Sequence, residues 1–125
     1  MLIIIRGPSG SGKTTLAASN YPSFQSVEAD MFFVGNDGVY RFNPRLLKHA
    51  HAWCQQRVRA LLEEGLDVVV SNTFTQVWEM QPYLDMAAEL GIEVEVVTAH
   101  GNFQNVHGVP PSVVAAQRAR WEEYP

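Results

Sequence analysis

The sequence predicts an α/β fold, a three-layer sandwich in which helices cover both faces of a mostly parallel sheet of about four or five strands. Two observations predict it. Short apolar runs of strand length alternate with longer segments that have helical spacing, which favours a parallel sheet with right-handed crossovers. The first run, residues 2–5, also leads through a glycine-rich loop directly into a helix. Because 125 residues suffice for one core, we expect a single domain over residues 1–125.

The first third of the chain predicts two strands, a short helix and a hairpin. Residues 2–5 are apolar and β-branched, as in a buried parallel strand, and a helix over about residues 14–18 follows the loop. Residues 24–28 then form a second strand, which delivers Asp30 at its carboxyl end. Turn-forming residues 35–38 separate two apolar segments, so a small hairpin is expected there.

The remainder predicts three helices alternating with two strands. Asn43 and Pro44 are a cap and a first-turn proline that begin a long amphipathic helix, and Gly65 ends it. The last strand carries glutamates, so we place it near an edge of the sheet. The expected elements are a helix to residue 64, a strand at 66–70, a helix from 76 or 81 to 90, a strand at 92–98 and a helix at 110–121.

A complete G-x-x-x-x-G-K-[ST] phosphate-binding loop occupies residues 7–14, between the first strand and the first helix. Its backbone N–H groups converge on phosphate oxygens, and the positive end of the helix dipole favours the negative charge. Lys13 is expected to reach the β- and γ-phosphates, and the Thr14 hydroxyl to ligate Mg²⁺. The sequence therefore predicts a P-loop NTPase sandwich that binds a nucleoside triphosphate. The expected nucleotide contacts are Gly7, Pro8, Ser9, Gly10, Ser11, Gly12, Lys13, Thr14 and Thr15.

Polar residues also follow two other predicted strands, and ligands bind at the carboxyl ends of parallel strands. Asp30 has two interpretations: a base that accepts a hydroxyl proton in phosphoryl transfer, or a carboxylate that caps a turn. Ser71 stands where many phosphate-loop proteins carry an acid that orients Mg²⁺, and a serine there could hold a metal-bound water. Asn72 could share that site or simply satisfy a turn.

Composition and charge disfavour several functional classes. The net charge is −4, so a polynucleotide would be held in a local groove and not through a broad basic surface. No run approaches the ~20 apolar residues of a spanning helix, so we expect no membrane association. Cys54 is the single cysteine, which excludes an internal disulfide and fits a reducing cytoplasm.

Several further motifs accompany the phosphate loop in a fixed order over nearly the whole chain. They are A-D-M-F-F at 29–33, G-V-Y-R-F at 38–42, A-H-A-W at 50–53, V-S-N-T at 70–73, W-E-M-Q-P-Y at 78–83 and N-V-H-G-V at 105–109. Together they resemble the polynucleotide-kinase-like branch of P-loop kinases. That branch includes phage 5′-hydroxyl polynucleotide kinases, related kinase domains of eukaryotic ubiquitin-ligase-binding proteins, and phage kinases that act on hydroxymethyluracil in DNA.

The resemblance implies a role for Asp30 as the general base and for the segment around Asn105 as a lid over the triphosphate. Two positions depart from the family pattern. Ser71 stands where the family usually has aspartate, and residues 103–104, Phe-Gln, stand where its lid usually carries arginine. An arginine there would neutralise the transferring phosphoryl group, a contribution that reaches ~10³-fold or more in other phosphoryl-transfer enzymes.

Other arginines are candidates for the missing cation. Arg118 and Arg120 on the last predicted helix are the nearest, although both could equally form a solvated face. Arg41 and Arg45, which follow the Asp30 strand, could hold an acceptor phosphate.

The first functional hypothesis is an ATP- and Mg²⁺-dependent kinase that phosphorylates a hydroxyl on nucleic acid, with DNA favoured as acceptor. The hydroxyl would be a 5′-OH end or a hydroxymethyl group on a base, in phage or bacterial host cytoplasm. The second is a kinase of a small molecule, a nucleoside or a sugar, which suits the acidic charge. The third is a nucleotide-binding module with little turnover, which the two departures would explain.

Overall fold

A parallel four-stranded sheet organises the computed structural model, which describes residues 1–101 and 109–124. The strands lie in the order β2-β3-β1-β4, and every neighbouring pair is parallel. The predicted α/β sandwich with a mostly parallel sheet is confirmed. The strand bounds are β1 (Leu2–Arg6), β2 (Gln25–Val27), β3 (Val68–Asn72) and β4 (Val94–Thr98).

Helices cover the two faces of the sheet unequally. Alternate residues of β1 enter different cores, because successive side chains of a strand point to opposite faces. The helix bounds are α1 (Lys13–Asn20), α2 (Leu47–Glu63), α3 (Val77–Leu90) and α4 (Pro111–Ala119), with 3₁₀ turns at Ala29–Phe33 and Pro44–Leu46. Ile4 packs in a large cluster with α2 and α3, whereas Ile3 packs in a small cluster with Ala17 of α1.

The long helix α2 begins one turn later than its cap residue suggests. The Asn43 side chain accepts a hydrogen bond from the Arg45 amide, as predicted for a cap, but it caps the 3₁₀ turn that precedes α2. Leu46 and Leu47, counted in the apolar stripe of the sequence, are exposed at 36% and 41%. The buried stripe therefore starts only at Ala50 and continues through Cys54, Val58, Leu61 and Leu62.

Helix α3 begins at the earlier of the two predicted positions. Gln76 is the N-cap, and its side chain and that of Glu79 bond reciprocally to the backbone in a capping box. Pro82 lies inside the helix, so it does not mark the start. Gly91 ends α3 in the left-handed conformation, with φ of 66°.

The sheet edges hold the shortest and the most polar strands. β2 is only three residues long, and Asp30 lies in the 3₁₀ turn that follows it. The predicted hairpin is reduced to a single antiparallel bridge between Val34 and Tyr40. β4 forms the opposite edge, as its glutamates predict. Among the described residues, no helix has the length and apolar character needed to cross a bilayer.

Candidate functional site

The phosphate loop, between β1 and α1, forms a concave turn lined by its own backbone amides. Gly10 and Gly12 have φ of 81° and 88°, a left-handed conformation that L-residues rarely adopt. The Ser11 amide donates to the Pro8 carbonyl at 3.1 Å. The Leu16 amide donates to the Gly12 carbonyl at 2.8 Å, which starts α1. This concave arrangement of successive amides at a helix N-terminus is typical of anion-binding loops.

Position 7 requires glycine because two other groups approach it closely. A Cβ on Gly7 would lie 2.3 Å from the Ser11 hydroxyl oxygen and 3.0 Å from the Ala99 carbonyl oxygen. The Gly7 amide also donates to the Thr73 carbonyl at 3.2 Å, which ties the loop to the end of β3. The Ser11 Oγ is buried and has no hydrogen-bond partner among the described residues.

The Lys13 ammonium is bonded to the phosphate loop and is influenced by two nearby carboxylate charges. Its Nζ donates to the carbonyls of Gly7 at 2.8 Å and Pro8 at 3.1 Å. Burial lowers the pKa of Lys13, while the negative charges of Glu28 and Asp30 act to raise it. The structure thus brings the predicted lysine and the predicted Asp30 to one end of the sheet.

A second carboxylate, Glu28, contacts the predicted metal ligand. The Thr14 hydroxyl donates to Glu28 Oε1 at 3.1 Å. Hydroxyl and carboxylate oxygens are the hard donors that Mg²⁺ prefers, so this pair fits the ion that the loop implies. Among the described residues, no three His, Cys, Asp or Glu side chains form a metal-binding cluster. Sequence reasoning missed Glu28, since only the order of the strands brings it to this place.

The Asp30 carboxylate is held by a tyrosine. Tyr40 Oη donates to Asp30 Oδ1 at 3.4 Å. Burial, together with the Asp30 charge, raises the pKa of Tyr40 to about 12. The phenol is therefore protonated at neutral pH and can orient the carboxylate. Sequence reasoning placed Tyr40 within a family motif but gave it no role.

The two polar residues at the end of β3 face different environments. Asn72 accepts a hydrogen bond from the Ala29 amide at 2.9 Å and donates to Cys54 Sγ at 3.6 Å. Its amide group therefore anchors the turn that carries Asp30, which matches the structural alternative for this residue. Ser71 Oγ is buried and has no hydrogen-bond partner among the described residues.

A buried arginine, missed by sequence reasoning, fastens the loop after β3. Arg6 is 1% exposed, and its guanidinium donates to the Phe74 carbonyl at 2.7 Å and the Glu122 carbonyl at 2.6 Å. It also stacks on the Trp121 ring, 4.0 Å from the centroid. Phe74 has φ of 44°, a strained conformation for a non-glycine residue. These contacts of Arg6 hold the segment between β3 and α3 beside the phosphate loop.

Helix α4 docks against the phosphate loop. The Ser9 amide donates to Gln117 Oε1 at 2.9 Å, and Gln117 is buried. Arg118 on the same helix lines a cavity of about 250 Å³ that also borders Pro8 and Gly101. The structure thus brings Arg118 close to the loop, and its role as a substitute cation stays a prediction.

The other predicted cations are placed differently. Arg120 contacts the segment between β3 and α3, where its Nε donates to Thr75 Oγ1 at 3.2 Å. Arg41 forms an exposed ion pair with Asp37 at 2.7 Å, within the turn that follows the Asp30 segment. Asn105 and its lid neighbours up to residue 108 lie outside the described residues.

A larger cavity, of about 370 Å³, lies at the opposite end of the strands. It borders Met1, Leu66, Leu90 and Ile92 together with Glu63, so its lining is partly apolar and partly polar. Ligands of open parallel sheets bind beyond the carboxyl ends of the strands, where the phosphate loop lies. We therefore assign the candidate site to the phosphate-loop end.

Sequence comparisons match most of the chain. The family model described as AAA domain matches residues 2–101. Human NEDD4-binding protein 2 is 35% identical over an alignment of 91 residues that covers 70% of this chain but only 5% of that protein. The uncharacterized protein PM0531 of Pasteurella multocida strain Pm70 is 30% identical over an alignment of 128 residues, gaps included, that covers 90% of this chain and 72% of that protein.

Solved structures share the fold at low sequence identity. A chain of the Pnkp1/Rnl/Hen1 complex has a TM-score of 0.65 at 19% identity, over 92% of this chain and 38% of that one. A gluconokinase from Sinorhizobium meliloti 1021 gives 0.64 at 18% identity, over 97% and 74%. The Mycobacterium tuberculosis APS kinase CysC, in complex with AMPPNP and APS, gives 0.59 at 20% identity, over 94% and 73%.

Proposed function

The chain belongs to the AAA domain family, and on that premise we propose that it is an ATP- and Mg²⁺-dependent kinase that phosphorylates a hydroxyl group of a nucleic acid, preferably DNA. One observation carries the proposal: the Lys13 ammonium donates to the phosphate-loop carbonyls and interacts electrostatically with the carboxylates of Glu28 and Asp30. A triphosphate in the loop would therefore present its outer phosphate to a carboxylate. We also propose that residues 1–125 act as one kinase domain.

The loop and its lysine account for triphosphate binding. The amides around Gly10 and Gly12 would bind phosphate oxygens, and Lys13 would balance the charge of the β- and γ-phosphates. Thr14 and Glu28 are the oxygen donors on the side where Mg²⁺ would be held. When bound there, that ion would supply positive charge that offsets the negative charge of the triphosphate.

Asp30 would act as the general base. Its carboxylate accepts the proton of the acceptor hydroxyl while the hydroxyl oxygen forms a bond to the γ-phosphorus. The bond from that phosphorus to the β–γ bridging oxygen breaks, and ADP leaves with the bridging oxygen. Tyr40 is the positioning residue, because its hydrogen bond holds the Asp30 carboxylate.

The choice of acceptor rests on two kinds of support. The motif resemblance to polynucleotide kinases favours a nucleic acid, and a chain of the Pnkp1/Rnl/Hen1 RNA repair complex has the same fold. A small-molecule acceptor is the second candidate, since the net charge is −4 and the fold is equally similar to a gluconokinase. One panel of acceptors tests both candidates.

The protein is incubated with γ-labelled ATP and a panel of acceptors: 5′-OH DNA and RNA oligomers, hydroxymethyluracil DNA, nucleosides and sugars. Label on an oligomer supports the proposal, and stronger labelling of DNA than of RNA supports the preference. Label on a nucleoside or sugar alone would establish the second candidate. ATP binding without transfer to any acceptor would mean a nucleotide-binding module.

Two substitutions separate binding from chemistry. Asp30→Asn should lower kcat by about 10²–10⁴-fold, the usual contribution of a general base, with ATP affinity near that of the unmodified chain. Lys13→Ala should weaken ATP binding itself. The matched control is Asp85→Asn, because Asp85 is an exposed carboxylate on α3 that accepts a hydrogen bond from Gln81 and lies outside the site. Transfer that survives Asp30→Asn would refute the base assignment.

A further inference from the structure

The strand-end acid expected in a site of this kind is absent from β3, where Ser71 stands. The neighbouring strand supplies a carboxylate at the same level. β2 runs parallel to β3 with Val27 opposite Val70, so the next residues along the two strands are Glu28 and Ser71. A carboxylate on β2 therefore lies beside the position that lacks one.

Both residues lie on the face of the sheet that α1 covers. Val70 and Val27 belong to the cluster under α2 and α3, whereas Val69 belongs to the cluster under α1. Because side chains alternate along a strand, Ser71 shares the face of Val69, and Glu28 lies on the face opposite Val27. The Thr14 hydroxyl of α1 donates to Glu28 Oε1 at 3.1 Å, which confirms that placement for the glutamate.

The Ser71 hydroxyl is a second, independent indication of a ligand at this point. It is 1% exposed, and its Oγ has no hydrogen-bond partner among the described residues. Buried hydroxyls nearly always have a partner, and an orphan of this kind indicates a water or an ion that the protein binds there. Ser71 also pairs in register with Ile5, two residues before the phosphate loop.

We propose that the Glu28 carboxylate is the acid that orients Mg²⁺ in the nucleotide complex, in place of an acid at position 71, and that Ser71 holds a water of that ion; this rests on the kinase function proposed above. Neighbouring strands lie about 4.7–4.9 Å apart, so an acid on β2 has farther to reach than one on β3. Glutamate is longer than aspartate by one methylene group, and it does reach Thr14.

The two carboxylates of the site then have separate tasks. Asp30 is held by Tyr40, which belongs to the largely exposed 34–42 segment where an acceptor would approach. Glu28 is held by Thr14, on the first turn of α1 beside the phosphates. Each can therefore be removed without removing the other, and the two losses should have different signatures.

The test measures binding of the non-hydrolysable analogue AMPPNP with saturating Mg²⁺ and with EDTA, by titration calorimetry. The readout is the dissociation constant in EDTA divided by the dissociation constant in Mg²⁺. This ratio is the gain from Mg²⁺, and its measurement requires no turnover. Glu28→Gln should reduce the gain from Mg²⁺ by about 10–100-fold, the usual effect of changing a group that supports a metal, and leave affinity in EDTA unchanged or higher. Asp30→Asn and the surface control Glu89→Gln should keep the ratio of the unmodified chain.

A double variant that moves the carboxylate from β2 to β3 gives a second test. Combining Glu28→Ser with Ser71→Asp moves the acid back to β3, and it should recover most of the gain from Mg²⁺. A Glu28→Gln protein with a normal ratio would overturn this inference and leave the kinase proposal standing. A folded double variant that binds AMPPNP in EDTA but gains nothing from Mg²⁺ would also overturn it. An unmodified chain that binds no AMPPNP would overturn both proposals.

Discussion

The two faces of the sheet carry apolar clusters of very different size. In the described part of the chain, the cluster under α2 and α3 contains seventeen buried residues, whereas the cluster under α1 contains five. Helix α1 contributes a single buried residue, Ala17, while α2 alone contributes five. The stability of the fold therefore rests mainly on the first face, and the second face is left to accommodate polar groups.

Buried polar groups without partners follow the same division. Ser11 and Ser71 lie at the phosphate-loop end of the α1 face, and their hydroxyl oxygens have no partner among the described residues. Tyr83 on the other face is the third such hydroxyl, and it lies against the Cys54 thiol, which is a weak partner at best. The lesson is that unsatisfied hydrogen-bonding capacity accumulates where a ligand is expected, beside a thin apolar layer.

The first prediction compares adjacent isoleucines of β1 that enter opposite faces. Both are completely buried, so the truncation is chemically matched. Ile4→Ala should lower the free energy of unfolding by about 3–5 kcal/mol, because the large cluster cannot collapse around the cavity. Ile3→Ala should cost about 2–3 kcal/mol, because α1 is short and can move inward.

Urea denaturation of the two variants measures the difference. Equal losses, or a larger loss for Ile3→Ala, would break the comparison, because the α1 face would then be as rigid as the other. ATP affinity gives a second reading. It should change more in Ile3→Ala, since inward movement of α1 carries the phosphate loop with it.

The sequence predicts the fold where the signal is local. The apolar β-branched run before the phosphate loop and the glycines at its turns identify β1, the loop and α1 without tertiary information. Gln76 and Glu79 together form a capping box, and that pair decides the start of α3 although Pro82 suggests a later one. These features depend on residues a few positions apart.

The sequence does not predict contacts that depend on strand order. Glu28 matters because β2 lies beside β3, and neither its own residue type nor its neighbours indicate that pairing. Arg6 follows four apolar residues, yet it is buried by Phe74 and Trp121 from distant parts of the chain. Tyr40 reaches Asp30 across the 34–40 bridge.

The second prediction compares glycines with positive φ in the two regions. Gly91 caps α3 with φ of 66° and open space around its Cβ position, so Gly91→Ala should cost only the strain of that conformation, about 1–2 kcal/mol. Gly12, with φ of 88°, should suffer a similar strain when changed to alanine. Only Gly12→Ala should also weaken ATP binding, because the strained loop moves its amides.

Thermal unfolding with and without ATP tests this pair. The nucleotide should raise the melting temperature of Gly91→Ala by the same amount as in the unmodified chain, and by less in Gly12→Ala. Equal shifts in the two variants would mean that the loop conformation does not govern binding.

The smallest expected effect lies outside both cores, in the exposed turn after Asp30. Arg41 holds Asp37 through two hydrogen bonds, and this contact, with the Val39 amide, lowers the pKa of the Asp37 carboxyl. The pair therefore contributes stability above the unfolded-state pKa of ~3.9 and loses it as the pH falls through the lowered folded-state pKa. Because water screens the exposed pair, Asp37→Asn should destabilise less than Gly91→Ala at pH 7.

Urea midpoints of Asp37→Asn and the unmodified chain, measured from pH 7 down to pH 2, should therefore converge in acid. A difference that persists below pH 3 would show that Asp37 stabilises the turn by something other than its charge, and the Val39 amide contact is the first alternative. A difference at pH 7 as large as that of Gly91→Ala would place this turn with the well-packed face. That result would contradict the division between a packed face that stabilises the fold and an open end that serves the ligand.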